Sequence, residues 1–273
     1  MNERAFRFGV VAGTAPTGDE WIATARRAEE LGFDILLIPD TLHTLAPFPA
    51  LAAAAAATRT LRVGTYVLSA PNRAPGLVAW ETKSLHLLTG GRFELGLGAG
   101  RPGADRDAAV LGSDFGSPAE RLQRVADTIR AVRENGTPGP PIMVAAGKPR
   151  MLRLAEEQAD IVALGLPPQS TEADLARLLA ALNGSGSPEL HVNVAAVAEN
   201  AAAVPEWVSR MVGGDPRAMA AAGGIAFLLG SPAEIAAVLL RRRAEFGVSY
   251  IGVNALFMEQ FAPVIRLLRD PSA

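Results

Sequence analysis

Three short passages hold residues whose types and spacing point to chemistry. In "LGLGAGRPG", Gly98, Gly100 and Gly103 spell G-x-G-x-x-G after an apolar run, the pattern by which a dinucleotide fold brings its backbone up to a pyrophosphate. In "LLIPDTLH", Asp40 and His43 set a carboxylate close to an imidazole, a pairing that can pass a proton to or from a substrate. A turn-capping carboxylate beside a surface histidine is the plainer alternative. In "VAAGKPR", Pro149 opens a helix as its first residue. The free N–H groups of Ala146, Gly147 and Lys148, the helix dipole and the Lys148 charge then suit a phosphate, though a solvated loop lysine fits the same letters.

The elements that must position these residues follow an alternating pattern. Strand-length apolar runs cover Phe6–Ala12, Asp34–Pro39, Leu61–Leu68, Phe93–Gly98, Pro141–Ala145, Asp160–Leu164, Leu190–Val197 and Tyr250–Ala255. Most are continuous and not strictly alternating, as parallel strands buried on both faces require. Helical segments lie between them. "DEWIATARRAEELGF" sets Trp21, Ala25, Ala28 and Leu31 on one face and ends on Gly32, with Phe33 folding back as the hydrophobic contact. "SPAE" occurs at Ser117–Glu120 and again at Ser231–Glu234, each a Ser N-cap, a Pro at the first helical position and a Glu at the third. "TEADLARLLAALNG" makes a further start, with Leu175, Leu178, Leu179 and Leu182 turned inward. The alanine run Ala52–Ala57 belongs to the second helix, and Pro205–Gly224 has room for an extra one.

Eight such units suit a (β/α)8 TIM barrel, usually about 250 residues long. One domain over residues 1–273 is expected, since no linker-like break divides the 273-residue chain. A net charge of −2 offers no footprint for nucleic acid or an anionic membrane. The absence of cysteine excludes disulfides and thiolate chemistry, and His43, His86 and His191 lack metal-ligand spacing, so no metal is expected. The N-terminal residues lack the apolar core of a signal peptide, and Pro47 and Pro49 break the longest uncharged stretch. A cytoplasmic protein is the expectation.

In a barrel the glycine pattern changes meaning. It falls in the fourth unit, no acidic residue ends the next strand, and Pro102 stands where a cofactor-binding helix would open. "LGLGAGR" is then the C-terminal end of the fourth barrel strand, on the face where barrel enzymes build their sites. Glycines there admit a flat ring or a phosphate tail, or else close a tight corner with no ligand at all.

The chain resembles the luciferase-like monooxygenase superfamily and, within it, the oxidoreductases that use the deazaflavin coenzyme F420. "ARRAEELGFDILLIPD", "LRVGTYVLSAPNRAPGLVAWETKSLHLLTGGRFELGLGAGR", "SPAERLQRVADTIRAVR", "PPIMVAAGKPRMLRLAEEQADIVALG" and "FGVSYIGVNALFMEQFAPVIRLL" carry the likeness in order. The resemblance implies a flat ring across the strand C-termini, resting on a non-prolyl cis peptide at Tyr66–Val67 within "GTYVLSAP", with Ser69 beside it. It implies Asp40 at the cofactor or near it. Many relatives follow that Asp with His, whereas here Thr41 follows and His43 comes three places after Asp40, so the catalytic pair implied is Asp40 and His43. Ala145, Ala146, Gly147, Lys148 and Gly165 would receive the phosphorylated tail, and Gly98, Ala99, Gly100 and Arg101 would line the opposite edge.

His86 is expected on a helix surface or subunit interface. His191 is expected near the start of the seventh strand, on the face remote from the chemistry. Trp80 and Trp207 are packing residues, the latter placed where it would cover a pocket. Only "ENGTPGP" joins the fourth helix to the fifth strand where many relatives carry an insertion. That implies an open mouth suited to a small molecule or a modified peptide. The function implied is hydride transfer between coenzyme F420 and an organic substrate, by C=C or C=N reduction or alcohol oxidation. The alternatives are an FMN-dependent monooxygenase and a flavin-binding barrel without catalysis. A homodimer through helices beside the second and third strands completes the expectation.

Overall fold

The computed structural model describes residues 4–135, 138–182 and 186–270. In chain order, β1 (Arg7–Val11), α1 (Gly18–Glu30), β2 (Ile35–Ile38), α2 (Pro47–Ala57) and β3 (Arg62–Thr65) lead into a two-residue strand, β4 (Leu68–Ser69). There follow α3 (Pro75–Leu88), β5 (Phe93–Gly98), α4 (Ala104–Leu111), α5 (Pro118–Glu134), β6 (Ile142–Ala146), α6 (Pro149–Gln158), β7 (Ile161–Leu164) and α7 (Glu172–Leu179). The last third comprises β8 (Glu189–Val194), β9 (Ala196–Ala198), α8 (Ser209–Val212), α9 (Pro216–Ala221), β10 (Phe227–Leu229), α10 (Pro232–Phe246), β11 (Val248–Asn254) and α11 (Met258–Arg269).

The strands form one parallel sheet in the order β3-β2-β1-β11-β8-β7-β6-β5-β4, and pairing of β3 with β5 closes it. β3 and β4 share the third position, so the barrel has the eight places of a (β/α)8 TIM barrel. The third strand is therefore not the single run expected over Leu61–Leu68. It breaks at Tyr66–Val67, whose peptide bond is cis. The ladder is stitched across the break by one side chain: the Thr65 hydroxyl donates to the Gly96 carbonyl (2.8 Å) and accepts from the Gly96 N–H (2.7 Å). The seventh strand also departs from the single run Leu190–Val197. It leaves the barrel after β8, and β9 pairs with β10 in a separate two-stranded parallel sheet.

Side chains divide into two shells. Phe8, Val10, Leu36, Ile38, Val63, Leu95, Leu97, Val144 and Val162 pack outward against the helices, while Ile35, Leu37, Met143, Ile161, Ala163 and Tyr250 fill the barrel. At the strand starts, Arg7 pairs with Glu94 and Glu189 (2.6 Å to the latter) and Arg62 with Glu94 (2.7 Å), which floors the barrel with compensated charge.

The helix signals act as written. Ser117 and Ser231 each form both halves of a capping box, and Thr171 forms one with Asp174. Gly32, at φ +87°, ends α1 while the Phe33 N–H reaches back to the Ala28 carbonyl (3.0 Å). The extra segment holds two short helices, α8 and α9, in place of one. Gly136 and Thr137 of the short connection, and Asn183 and Gly184 after α7, lie outside the described residues.

A Cβ on Gly96 would overlap the Thr65 carbonyl oxygen and lie 2.9 Å from Val67 Cγ1, whereas one on Gly18 would meet nothing within 4 Å. Gly96→Ala is therefore expected to lower unfolding free energy by about 3 kcal/mol, and Gly18→Ala to raise it by roughly 0.5 kcal/mol. Urea unfolding of both variants beside the parent checks the pair.

Candidate active site at the barrel mouth

A cavity of about 260 Å³ opens at the C-terminal ends of the strands. Val11, Tyr66, Asn193 and Asn254 reach it from β1, from the break between β3 and β4, and from β8 and β11. Leu164, Gly165, Leu166 and Pro168 form one side, and Met211 and Val212 of α8 with Ile225 and Ala226 form the roof. This roof comes from the segment between β9 and β10, not from the α5–β6 connection. The Asn254 side chain donates to the Met211 sulfur (3.3 Å), which ties the roof to the barrel. Trp207 stacks on Phe257 (5.3 Å between centroids) and is not among the cavity-lining residues.

Beneath the cavity runs a column of rings. Tyr66 lies 4.8 Å from His191, and His191 stands edge-on to Tyr250 at 4.6 Å, with the Arg7 guanidinium 4.4 Å from the Tyr250 centroid. His191 is thus inside the barrel and directly under the mouth, not remote from the site. Among the described residues neither of its ring nitrogens has a hydrogen-bond partner, nor does the Tyr250 hydroxyl. Burial, with Arg7 adding to it, pushes the imidazole down to about 3, so the ring is neutral.

The residues singled out from the sequence separate into three groups. Tyr66 and Gly165 line the cavity. Gly165 also meets the end of β6: its N–H donates to the Ala146 carbonyl (2.7 Å), and a Cβ on Gly147 would overlap the Gly165 carbonyl oxygen. These two glycines let the ends of β6 and β7 touch backbone to backbone. The seam they form leads from the cavity to exposed Gly147 and Lys148 at the start of α6, where Lys148 makes no side-chain cap. Ala145 faces the barrel interior with Val67 and Tyr66.

The second group is occupied by the protein itself. A Cβ on Gly98 would lie 2.7 Å from Val67 Cγ2, and one on Gly100 would lie 2.7 Å from the Phe115 ring. Arg101, beyond half-buried Ala99, is held by Asp107 at 2.7 Å. The glycines of "LGLGAG" therefore make room for Val67 and Phe115.

Asp40 and His43 form the third group. The Asp40 carboxylate accepts from the Ser69 N–H (3.0 Å) and from Arg73 (2.9 Å), fastening the end of β2 to the turn after β4. The Ser69 hydroxyl is buried without a partner. His43 is exposed, and its backbone N–H, not its ring, donates to Thr41 (3.3 Å). Among the described residues no hydrogen bond joins the two.

Asn193, Asn254 and His191 were not singled out as site residues. Their signal was a polar side chain within an apolar strand run, with His191 and Asn193 two apart and so on one face of β8.

Comparison with known proteins places these features in company. Residues 5–245 match the family described as luciferase-like monooxygenase. A phthiodiolone/phenolphthiodiolone dimycocerosates ketoreductase of Mycobacterium sp. (strain JLS) is 33% identical over 150 residues, 45% of this chain and 39% of that protein. An F420-dependent glucose-6-phosphate dehydrogenase of Beutenbergia cavernae is 35% identical over 115 residues, 39% of this chain and 33% of that one. The chain thus spans well under half the length of these relatives. A monooxygenase from Streptomyces bottropensis superimposes with a TM-score of 0.72 at 20% identity, over 96% of this chain and 98% of the other. At that identity the likeness is one of fold.

The neutral state of His191 has a consequence for acid stability. An unfolded histidine titrates near 6.5, so between pH 6.5 and about 3 the unfolded chain binds a proton that the folded one refuses. Stability must then fall as pH is lowered through that window. Urea unfolding at a series of pH values is expected to show a component of up to about 1.4 kcal/mol per pH unit. His191→Leu should remove it.

Proposed function

The chain is a member of the luciferase-like monooxygenase family, and on that footing we propose that it is a deazaflavin-dependent oxidoreductase, moving a hydride between coenzyme F420 and an organic substrate. The observation that carries this reading is the continuity of three features: an uncharged cavity, the Gly147–Gly165 seam, and an open helix start bearing Lys148. A flat, uncharged ring system with an anionic tail matches that order. Side chains at 147 or 165 would fill the seam. Relatives whose names include F420 or a ketone reduction support the same reading.

When bound, the deazaflavin supplies a two-electron hydride carrier. The chain's own residues do the remainder. The backbone N–H groups at the start of α6, with the Lys148 ammonium, would hold the phosphate of the deazaflavin tail. The apolar walls of the cavity and the α8 roof exclude water, which strengthens every polar contact inside. Asp40 holds the floor of the mouth in place through Arg73 and Ser69, and in this geometry it is a positioning residue. Hydride transfer needs the donor and acceptor carbons in close contact, and a rigid rim of strand ends provides that alignment.

An FMN-dependent monooxygenase is the second reading, favoured by the roof, since oxygen-activating flavins need a dry site. Fluorescence titration of the purified protein with oxidised coenzyme F420, and separately with FMN, decides between them. Tight binding of the deazaflavin, weakened about tenfold in Lys148→Ala, is the expected result. Binding of FMN alone would establish the second reading. Binding of neither would leave a barrel without a flavin site.

We propose further that the partner is a second copy of the chain. The outer face of α3 exposes Leu77, Trp80, Leu87 and Leu88, the last two at 78%, and α4 adds Val110 and Leu111. Exposed apolar side chains of this kind on α3, which packs beside the small-residue α2, mark a protein interface. Sedimentation velocity is expected to show a dimer, and Trp80→Glu with Leu87→Glu a monomer with unchanged helix content.

A further inference from the structure

A second and larger cavity, of about 470 Å³, lies outside the barrel wall between the start of α7, the turn after α9, β10 and α10. Its volume falls in the range of about 300–1,000 Å³ usual for ligand pockets. Phe227, Leu228, Ile235 and Val238 give it an apolar wall, and its charged lining is Glu172, Arg241 and Arg242. The Glu172 carboxylate is spent on both arginines. Arg241 donates to its Oε1 (2.8 Å) and Oε2 (2.9 Å), and Arg242 Nε donates to Oε1 (2.8 Å). Arg241 has a second carboxylate in Glu245 (3.1 Å), whereas among the described residues Arg242 has no other.

Arg242 is only 7% exposed, so its charge depends on the partners it finds in the protein. Its Nη1 donates to the Ile225 carbonyl (3.1 Å). Its Nη2 has no partner among the described residues, yet it is not sealed from solvent. Burial pulls this guanidinium below its ordinary range, and the shared Glu172 offsets that only in part. A buried arginine with a free N–H pair, sharing its one carboxylate with a neighbour, is built to receive another. Two arginines against one glutamate leave the lining with a single positive charge. A monoanion balances it, whereas the dianion of a phosphate ester would carry surplus charge toward Glu172.

We propose that this outer cavity binds an organic monocarboxylate, its carboxylate on Arg242 and its apolar body against Phe227, Leu228, Ile235 and Val238. With water occupying roughly 30 Å³ each, the 470 Å³ space holds a body on the order of fifteen non-hydrogen atoms. The site is separate from the mouth. Ile225 and Ala226 line the mouth, while the next three residues, Phe227, Leu228 and Leu229, line the outer cavity. Arg242 adjoins both through its bond to the Ile225 carbonyl. The inference goes beyond the oxidoreductase reading and does not depend on it.

The test needs no cofactor, so its failure is separate from failure of the deazaflavin titration. The probes are 2-naphthoate, a fluorescent monocarboxylate of suitable size, and 2-naphthamide, its uncharged counterpart of the same shape. Fluorescence titration of the full chain at neutral pH is expected to show naphthoate binding about tenfold more tightly than naphthamide. Val238→Trp, which fills the cavity from α10, should weaken both probes by about tenfold or more. Arg242→Met keeps the apolar stem and should weaken naphthoate by about tenfold while leaving naphthamide unchanged. Urea midpoints verify the fold of each variant, and if Arg242→Met does not fold, Val238→Trp and the preference of the parent for the charged probe decide. Equal affinity of the parent for the two probes, naphthoate binding unaltered in Val238→Trp or in folded Arg242→Met, or no binding of either probe would overturn the proposal.

Discussion

Everything at the mouth depends on how the third and fourth strand positions meet. The chain cannot run straight through the third position. After Thr65 it turns through Tyr66–Val67 and resumes as β4, and the two halves pair with β5 at different heights. That junction holds because Gly96 and Gly98 present no side chains, so the Val67 isopropyl group lies where their Cβ atoms would be. It also holds because the Thr65 hydroxyl takes over the ladder bonds at Gly96. With Val67 seated against the glycines inside the barrel, Tyr66 beside it reaches the opening. A side chain at either glycine would dislodge Val67 and, with it, the one phenol that faces the cavity.

The barrel interior is graded in polarity from floor to mouth. The floor carries full charges, compensated among Arg7, Arg62, Glu94 and Glu189. Breaking one of these pairs would leave a buried charge, a far larger penalty than the pair's own net contribution. Above it come Tyr250 and His191, neutral groups whose hydrogen-bonding atoms are left unpaired. Only at the level of Tyr66, Asn193 and Asn254 do polar groups meet the cavity. The column is therefore stiff below and receptive above. Its rings pack as aromatics, while its top keeps unspent hydrogen-bonding capacity.

The barrel was legible in the sequence because its signals are local. Apolar runs, proline at helix starts, the two "SPAE" boxes and Gly32 each act within a few residues, and the structure places an element boundary at or next to each. The mouth was less legible. Strands buried on both faces lose the alternation that tells inward from outward, so nothing in "ELHVNV" announced that His191 and Asn193 face the lumen. The glycines of "LGLGAG" signalled a close approach but not what approaches, and Val67 and Phe115 come from distant segments. β9 and β10 are three residues each, too short for periodicity to register. Asp40 and His43 are near in sequence, yet Arg73, 33 residues on, claims the carboxylate.

The roof is hung outside the barrel. The chain swings out at Ala195, whose N–H turns to the Ala226 carbonyl (2.7 Å), and returns to the helical layer through β10. None of the ladder bonds that close the barrel passes through the stretch between them. Such a stretch is a module in the evolutionary sense. Its length and lining can drift, be trimmed or be replaced while the framework is inherited intact. Divergence of substrate range within this architecture then has a natural address, one where sequence change is cheap and its effect on the cavity immediate.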